Sequence, residues 1–509
     1  MTVSIVYSQD GTIDFTFGEN GLAFFSHGNY QTRGEAIVEL SDGSYIIAGN
    51  TYNHVSGSWQ EQSFYVAKYT STGEIDLSFG VDGVMFFPKG TNGNSSFGNM
   101  LKQLSGKILI SALIDGQSVL MRINNEGVFD NSFGLNGLVE IERGGGLAMQ
   151  TDDKIILTNQ HYDGYNNYYL IKRYLNTGEI DITFGQGGSV FINPTANRFD
   201  LITKVHTQPD DKILLTGMSY TQIMPEKAII VRLNPNGTLD DDFGNNGVVV
   251  NNFGNGQVDA LFSDIKLQNN GKIVVVGNIY FQGGTGGFYG TKPLVVRYNT
   301  DGSFDTTFGD DGKLVFETVF NANDTFSDVL LQPDGKILIA GRASLSYPYM
   351  RTYFYMTRLT SGGDSDLNFG SNGIVLENFI EFTNDFSNQA RDLLINSNGK
   401  IIAFGFTTNF TTPRKAFIVR FNNDLPMGID DFLNKDLIVY PNPAKKYIII
   451  KNLQVNSVSE IKLFDVLGKE LPFVITKIEN DEYFLDLSKF SSGLYYLKSQ
   501  NFLKKIIKN

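Results

Sequence analysis

The segment FSDVLLQPDGKILIAG, residues 326–341, decides the fold because it holds two apolar runs joined by a tight turn. Asp-Gly-Lys is a turn sequence typical of a β-hairpin, and flanking runs of Val, Ile, Leu and Phe are typical of strands. The second half, Gln-x-x-Gly-Lys-Ile followed by apolar residues and Gly, recurs at residues 268–277. Looser copies occupy residues 39–49, 103–111, 150–158, 208–217 and 396–405. The sequence therefore predicts seven hairpins of one kind.

A second motif, Gly-x-apolar-Asp-x-x-Phe-Gly-x-x-Gly, alternates with the hairpin and also occurs seven times. Its copies begin at Gly11, Gly73, Gly127, Gly178, Gly237, Gly302 and Gly363. The last copy has Ser365 in the apolar position. A third element, an apolar run that ends in Lys or Arg, lies between each hairpin and the next motif. The three elements keep one order, so the chain is a repeat array.

Each repeat supplies four short strand patterns, and none shows the 3.6-residue apolar period of a helix. In the sixth repeat we predict strands at residues 313–318, 326–331, 336–340 and 353–359. Seven four-stranded units are typical of a seven-bladed β-propeller, an all-β fold. A β-solenoid is the alternative, but its coils are usually shorter, and hairpin turns inside each repeat argue against it.

The basic residue of the third element precedes the motif Asp by eight positions in six repeats, which predicts six structural ion pairs. These are Lys68–Asp76, Arg122–Asp130, Arg173–Asp181, Arg232–Asp240, Arg297–Asp305 and Arg358–Asp366. Asp14 has no such partner because position 6 is Val6, and Arg420 has none because position 428 is Gly428. We expect Asp14 and Arg420 to form the seventh pair and close the ring. Residues 3–7 also have a strand pattern and would compete for the same edge.

Two motifs give the array a family resemblance. LDDDFG at residues 239–244 and QPDGKI at residues 332–337 resemble the delta-60 repeat, a propeller-forming family of bacterial chains. The resemblance covers residues 11–421. Asp152-Asp153 replaces Asp-Gly in the third unit, and the turn at residues 104–106 is shortened in the second. These departures are expected to alter turns and to leave the fold intact.

The array stops at Phe421, so we assign residues 1–421 to the propeller. Residues 422–436 are polar and acidic and are predicted to form a linker. Residues 437–509 alternate strand patterns with turn residues, which predicts a small antiparallel β-sandwich of the immunoglobulin-like kind.

This tail resembles the type A sorting domain of the type IX secretion system of Bacteroidetes. The carrying segments are YPNP at residues 440–443, DVLGK at 465–469, GLYY at 493–496 and the basic end from Lys504 to Lys508. The resemblance implies a protein carried across the outer membrane by the type IX machinery. It would then be released or attached at the cell surface. Such cargo first needs a signal peptide, and residues 1–11 show no basic segment followed by an apolar one.

Composition and motif content exclude several function classes. The net charge is -13, which disfavours nucleic acid as a partner, and no run of 18 apolar residues predicts a transmembrane helix. The chain has no Cys, and its four His form no His-x-x-x-His pair. Nucleophile elbows and phosphate-binding loops are also missing. Calcium at residues 301–311 is an alternative reading of the motif, but most copies hold too few carboxylates. We predict no catalytic residue, metal or cofactor.

The residues that do not repeat are mostly aromatic and lie in loops of varying length. Two sets of loops vary: those between the first and second strand patterns of a repeat, and those between the third and fourth. In a propeller they share one face, which we call the variable-loop face. Candidate ligand-binding residues on it are Tyr52, Trp59, Tyr165, Tyr168, Tyr220, Phe281, Phe288, Tyr289, Tyr347, Tyr349 and Phe410. Phe406 and Tyr280 belong to the same loops. Packing of these rings against neighbouring loops is the alternative.

Exposed rings on a rigid scaffold favour contact with sugars or peptides. The leading hypothesis is therefore a secreted or surface-attached, non-catalytic protein that binds an extracellular polysaccharide or protein. A polysaccharide-acting enzyme with acids from several blades and a structural surface-layer protein are the alternatives. Two or more buried carboxylates at the mouth of the central channel would favour the enzyme.

Overall fold

The computed structural model describes most of the chain. Outside the description lie residues 1–8, 56–57, 165–166, 196–198, 222–223, 252, 254–258, 283–288, 318, 320–322, 346–350, 381–384, 410–411, 424–437, 441–443, 452–460, 466–469, 478–481, 492, 499–502 and 509, with the side chains of some adjoining strand residues. The chain divides into two units, Met1–Asp424 and Leu425–Asn509. The described residues form strands and turns without a helix. None of them forms a helix long and apolar enough to cross a membrane.

The first unit is a β-propeller of four-stranded antiparallel sheets, the blades. From first strand to fourth, blade 1 consists of Ala36–Glu39, Tyr45–Val55, Ser58–Tyr69 and Val84–Phe87, and blade 2 of Ser96–Lys102, Ile108–Ile114, Gln117–Ile123 and Leu138–Glu140. Blade 3 consists of Leu147–Met149, Ile155–Tyr162, Asn167–Tyr174 and Ser189–Ile192. Blade 4 consists of Phe199–Thr207, Ile213–Thr221, Met224–Leu233 and Val248–Val250. The short strand Gln31–Thr32 also pairs with the second strand of blade 1.

Blades 5 to 7 follow the same order: Asp259–Leu267, Ile273–Gln282, Tyr289–Tyr298, Lys313–Val315; Thr325–Leu331, Ile337–Leu345, Arg351–Leu359, Ile374–Glu377; and Phe386–Ile395, Ile401–Thr408, Lys415–Phe421, Leu22–Phe25. The first strands of successive blades contact each other, and the first strand of blade 7 contacts that of blade 1. The first strands therefore form a closed inner ring around a central channel.

Blade membership differs from the sequence prediction by one strand. Lys313–Val315 was expected to share a blade with the three strands that follow it, but it pairs with the preceding strand Tyr289–Tyr298. The motif turn causes this, because the Asp305 amide donates to the Arg297 carbonyl and the Arg297 amide donates to the Gly312 carbonyl. The Asp-x-x-Phe-Gly turn is thus a connection within a blade and not between blades.

The same shift makes the chain's beginning complete its last blade. Leu22–Phe25 pairs with Lys415–Phe421 in register from Leu22 opposite Val419 to Phe25 opposite Ala416. The variable loops become the second-to-third hairpins within blades and the connections from the fourth strand to the first strand of the next blade. They still share one face, as expected.

Apolar side chains fill the space between adjacent blades, and the motif Phe is part of that filling. Phe17, Phe79, Phe133, Phe184, Phe243, Phe308 and Phe369 are all fully buried. Each ring meets the first Gly of the next motif. At Gly302, for example, φ is +84° and a Cβ atom would lie 2.9 Å from the Phe243 ring. Only Gly satisfies both the backbone conformation and the close approach.

The second unit contains two four-stranded antiparallel sheets. One consists of Ile438–Tyr440, Tyr447–Lys451, Glu482–Asp486 and Ile475–Lys477, and the other of Glu470–Leu471, Lys462–Asp465, Gly493–Lys498 and Leu503–Lys508. Ile448, Ile450 and Leu485 of the first sheet pack with Leu463 and Leu497 of the second in one buried cluster. Two sheets with a shared apolar core form a β-sandwich.

Candidate functional site

The predicted acid–base partners lie next to each other in all seven blades. Nitrogen–oxygen distances in the pairs are 3.0 Å for Lys68–Asp76, 2.6 Å for Arg122–Asp130, 2.8 Å for Arg173–Asp181, 2.5 Å for Arg232–Asp240, 2.6 Å for Arg297–Asp305, 2.8 Å for Arg358–Asp366 and 2.9 Å for Arg420–Asp14. Burial alone would raise the pKa of Asp181, but hydrogen bonds from Thr183 and the charge of Arg173 lower it overall.

Each arginine of these pairs also reaches the next repeat. Arg173 donates from Nε to Asp181 and from Nη1 to the carbonyl of Pro235, and its guanidinium lies 4.7 Å from the centroid of the Phe184 ring. Five guanidinium donors in a fixed fork suit such bridging. The repeated pairs therefore serve as clamps between blades and are not available as a ligand site.

The hairpin Lys is a member of the clamp that sequence reasoning missed. Lys272 lies 2.7 Å from Asp305, and Lys107, Lys212 and Lys336 contact the motif Asp of their own blades in the same way. The sequence contained this signal, because the hairpin Lys follows Gly in three of these repeats and follows Asp211 in the fourth.

The pair Arg420–Asp14 joins residues from opposite ends of the propeller. Arg420 Nε lies 2.9 Å from Asp14 Oδ2, Nη1 donates to the Ser71 carbonyl, and Nη2 donates to the Thr16 hydroxyl. The guanidinium also lies 4.9 Å from the Phe17 ring centroid. The competing segment, residues 3–7, lies outside the described residues.

Four charged residues occupy equivalent positions on the inner ring, directly after a β-bulge in each first strand. They are Lys204, Asp264, Asp328 and Asp392 of blades 4 to 7. A bulge re-aims side chains relative to the regular alternation of a strand, and the three acids all raise the pKa of Lys204, so the four groups share one region of the inner ring. Sequence reasoning missed the set, although each member stands four residues before the Gln or Asn that opens the hairpin motif.

Each of the three carboxyls accepts a backbone amide from the next blade. Asp264 accepts the Val329 amide at 3.2 Å, Asp328 accepts the Leu393 amide at 2.8 Å, and Asp392 accepts the Ile37 amide at 2.8 Å. The row therefore joins blade 5 to 6, 6 to 7 and 7 to 1.

The pKa values of the three carboxyls are shifted in different directions. Burial opposes ionisation of Asp264, but Lys204 and Lys266 outweigh it and lower the pKa of that carboxyl. Burial and the neighbouring charge of Asp264 raise the pKa of Asp328 well above its ordinary value, and burial also raises the pKa of Asp392. The row thus contains one carboxyl whose pKa is lowered by two lysines and two carboxyls whose pKa values are raised by burial.

A cluster of arginines lies on the variable-loop face of blades 7 and 1. The guanidinium groups of Arg33, Arg414 and Arg391 lie 5.3, 5.4 and 5.7 Å from the centroid of one buried ring, Phe406. Glu35 is an acid of the cluster, 3.5 Å from Arg391. Burial raises the pKa of Glu35, and Arg391 and Arg33 offset this only in part. Arg391 thus has one acid beside it, and burial of that acid favours its neutral form.

The closeness of the positive charges, together with burial, lowers the pKa values of two of the arginines. Burial, followed by the charges of Arg33 and Arg391, lowers the pKa of Arg414 to about 10. Burial and the charge of Arg391 also lower the pKa of Arg342, a fourth arginine in the second strand of blade 6. In an acidic protein this is a local region of opposite charge. We call Arg33, Arg342, Arg391, Arg414 and Phe406 the arginine cluster.

Of the predicted aromatic ligand residues, the structure describes the side chains of two. Tyr52 is half-buried with the Arg33 guanidinium 5.1 Å from its ring centroid, which places it beside the arginine cluster. Tyr168 lies in blade 3, with its ring 6.5 Å from that of His161. The other predicted side chains lie outside the description: Trp59, Tyr165, Tyr220, Phe281, Phe288, Tyr289, Tyr347, Tyr349 and Phe410.

The motif carboxylates considered for calcium have other partners. Asp301 accepts the amide and hydroxyl of Ser303, and Asp305 is bound by Arg297 and Lys272. Within the described part of the chain, no group of three His, Asp or Glu is arranged to hold a metal ion.

Two family matches follow the division into propeller and sandwich. The family described as a domain of unknown function (DUF5122) beta-propeller matches residues 40–79, 208–243, 268–308 and 332–369. The secretion system C-terminal sorting domain matches residues 438–509. The chain carries DUF5122 propeller repeats and a type IX secretion sorting domain. The tail directs type IX secretion, so the DUF5122 propeller is carried out of the cell or to its outer surface.

Several solved structures are similar to this chain. One is a protein of unknown function from Dyadobacter fermentans, with 9% identity, 79% of this chain and 98% of that chain covered, and a TM-score of 0.39. Polysaccharide lyase Uly1 has 12% identity, coverages of 83% and 94%, and a TM-score of 0.46. A virginiamycin B lyase from Staphylococcus aureus has 11% identity, coverages of 78% and 98%, and a TM-score of 0.40. No curated protein sequence matches the chain.

Proposed function

We propose that this exported DUF5122 propeller is a non-catalytic binding protein that engages an extracellular polysaccharide or protein through its variable-loop face. The observation that carries the proposal is the arginine cluster beside Tyr52. It gathers charged and aromatic side chains from blades 6, 7 and 1 at positions that do not repeat around the ring.

The contrast with the repeated residues supports this assignment. The motif acids, their basic partners and the hairpin lysines have partners within the array, as Arg173 shows with Asp181, Pro235 and Phe184. Polar groups with such partners hold the blades together. Polar groups outside this pattern are candidates for ligand contact, because loops and strand ends on a rigid scaffold commonly carry function.

A binding screen with a matched pair of aromatic variants tests the proposal. The purified full chain would be applied to an array of neutral and acidic polysaccharides and to immobilised cell-envelope proteins. Tyr52→Ala should weaken binding of any polymer retained by the parent chain at least fivefold. Tyr162→Ala changes a 60% exposed tyrosine at the end of the second strand of blade 3, on the same face, and should leave binding unchanged. Equal binding by both variants and the parent would contradict the proposal.

A polysaccharide-acting enzyme is the second candidate, and the channel carboxyls favour it. The pKa of Asp264 is lowered and that of Asp328 is raised, which are the directions expected for a base and an acid. Against this, all three carboxyls accept an amide from the neighbouring blade, so they are already used in joining blades. Asp328→Asn tests the enzyme directly: an activity on any polysaccharide of the array that disappears in this variant, with blade stability retained, would establish the second candidate.

A further inference from the structure

The arginine cluster concentrates positive charge, and two of its buried guanidinium N–H groups have no acceptor among the described residues. Arg33 Nε and Arg342 Nε are buried from solvent and find no acceptor within the described part of the chain. A buried guanidinium N–H without an acceptor costs free energy, and hydrogen bonds to charged groups are the stronger kind. An acceptor that carries negative charge would satisfy both needs at once.

The geometry fits a small anionic group. The guanidinium groups of Arg33, Arg391 and Arg414 all lie within 5.7 Å of the Phe406 ring centroid, so the three cations occupy one region of the face. Planar guanidinium groups bind carboxylate and sulfate oxygens in a two-pronged way that lysine cannot match. Glu35 lies 3.5 Å from Arg391, and because burial raises the pKa of Glu35, it offsets the positive charge of the cluster only in part.

The surroundings suit a sugar better than an acidic peptide. Tyr52 lies under Arg33, and Tyr280 is near enough to Arg342 to raise the pKa of that guanidinium, so phenol groups accompany two of the arginines. The Gln389 amide lies on the same strand as Arg391, two residues before it. Phenols and amides bind sugar hydroxyls, and aromatic faces stack on sugar rings, whereas the arginines take the acidic substituent.

We propose that the arginine cluster binds the acidic group, a carboxylate or a sulfate, of an extracellular acidic polysaccharide. This rests on the proposed function, because it names the ligand class of the same face. Arg33, Arg391 and Arg414 hold the anion, Arg342 extends the positive surface toward blade 6, and Tyr52 contacts the sugar.

Titration calorimetry of the full chain with four polymers tests the proposal. Polygalacturonate supplies carboxylates, dextran sulfate supplies sulfates, dextran is the neutral control, and poly-glutamate is the acidic peptide. We expect binding to polygalacturonate or dextran sulfate, with no binding to dextran, and a marked loss of affinity at 0.5 M NaCl because salt screens charged contacts. Whichever acidic polysaccharide binds identifies the anion. Stronger binding to poly-glutamate than to both would overturn the sugar assignment.

Three variants locate the binding. Arg33→Gln should reduce affinity for the acidic polysaccharide about tenfold, and so should Arg391→Gln, whose side chain is partly exposed and therefore safer for folding. Arg143→Gln is the matched control, because it removes the same charge from an exposed position on the connection between blades 2 and 3 of the same face. Equal losses in all three variants would mean a general charge effect and would overturn the site.

The outcomes separate this inference from the proposed function. If the chain binds a neutral polysaccharide, and Tyr52→Ala weakens that binding while Arg33→Gln and Arg391→Gln do not, the face is a binding face and the anion assignment is wrong. If no polysaccharide or protein of either panel binds, both proposals are wrong.

Discussion

The pair Arg420–Asp14 should be the point at which the propeller is most easily opened. The six other pairs join residues eight positions apart, whereas this one joins the strand Lys415–Phe421 to the turn before Leu22–Phe25. Arg420→Ala removes the ion pair at 2.9 Å, the donor to the Ser71 carbonyl, the donor to Thr16 and the contact with Phe17. It leaves Asp14 with its hydrogen bonds from Thr16 but without a cation at this distance.

The magnitude follows from burial. The side chains of Arg420 and Asp14 are 12% and 10% exposed, so the pair is neither a solvated surface pair nor a fully desolvated one. Surface pairs contribute up to about 1 kcal/mol, and breaking a buried pair costs about 3–5 kcal/mol. We expect Arg420→Ala to reduce the free energy of unfolding by about 2–3 kcal/mol, and Arg143→Ala, an exposed control, by less than about 0.5 kcal/mol.

Denaturant unfolding and hydrogen exchange with mass spectrometry together measure the effect. The double variant Asp14→Asn with Arg420→Gln should show a coupling energy of about 1 kcal/mol or more, because the two side chains interact directly. Exchange in Arg420→Ala should increase at residues 9–25 and 415–421 before it increases in blades 3 to 5. A loss below about 0.5 kcal/mol without faster exchange in these segments would refute the reasoning.

Three other predictions concern the channel, the motif and the tail. Burial and Lys266 lower the pKa of His206 to about 4, so the unfolded chain binds a proton at this residue before the folded chain does as the pH falls. The free energy of unfolding should therefore drop by up to about 3 kcal/mol between pH 6.5 and 4. Denaturant unfolding of His206→Gln should show a smaller drop over the same pH range. In the same assay, Gly302→Ala should lower the free energy of unfolding by about 2 kcal/mol more than Gly106→Ala. Both glycines have φ near +84°, but a Cβ atom at Gly302 would lie 2.9 Å from a phenylalanine ring, whereas one at Gly106 would have nothing within 4 Å. Deletion of residues 425–509 should leave the melting temperature of the propeller nearly unchanged and block export, and secretion of the truncated chain into the medium would contradict the sorting role.

The repeat made most of the propeller predictable. Asp-Gly-Lys turns, the alternating motif and the eight-residue offset between base and acid are local patterns, so the all-β propeller, the sandwich and the position of each pair could be read from sequence. The prediction placed Lys313–Val315 in the wrong blade. The sequence repeat can be divided into blades either before or after the motif, and only the observed pairing of this strand with Tyr289–Tyr298 shows which division is right. The hairpin Lys was overlooked even though it recurs.

The arginine cluster could not be predicted in the same way. Arg33 precedes a first strand, Arg342 belongs to a second strand, Arg391 occupies a bulge and Arg414 precedes a third strand. No shared spacing links these positions, and only ring closure brings blade 1 beside blade 7. The aromatic residues were chosen because they do not repeat, and among them Tyr52 lies beside the cluster.

The most direct test of a binding face is to map where an acidic polysaccharide protects the chain. Hydrogen exchange would be measured for the full chain with and without saturating polygalacturonate, and in parallel with dextran sulfate. Our account predicts slower exchange at residues 31–35, 386–391 and 412–415, and no change at the motif turn of residues 127–137 on the opposite face. Protection confined to the motif turns, or equal protection of both faces, would contradict it.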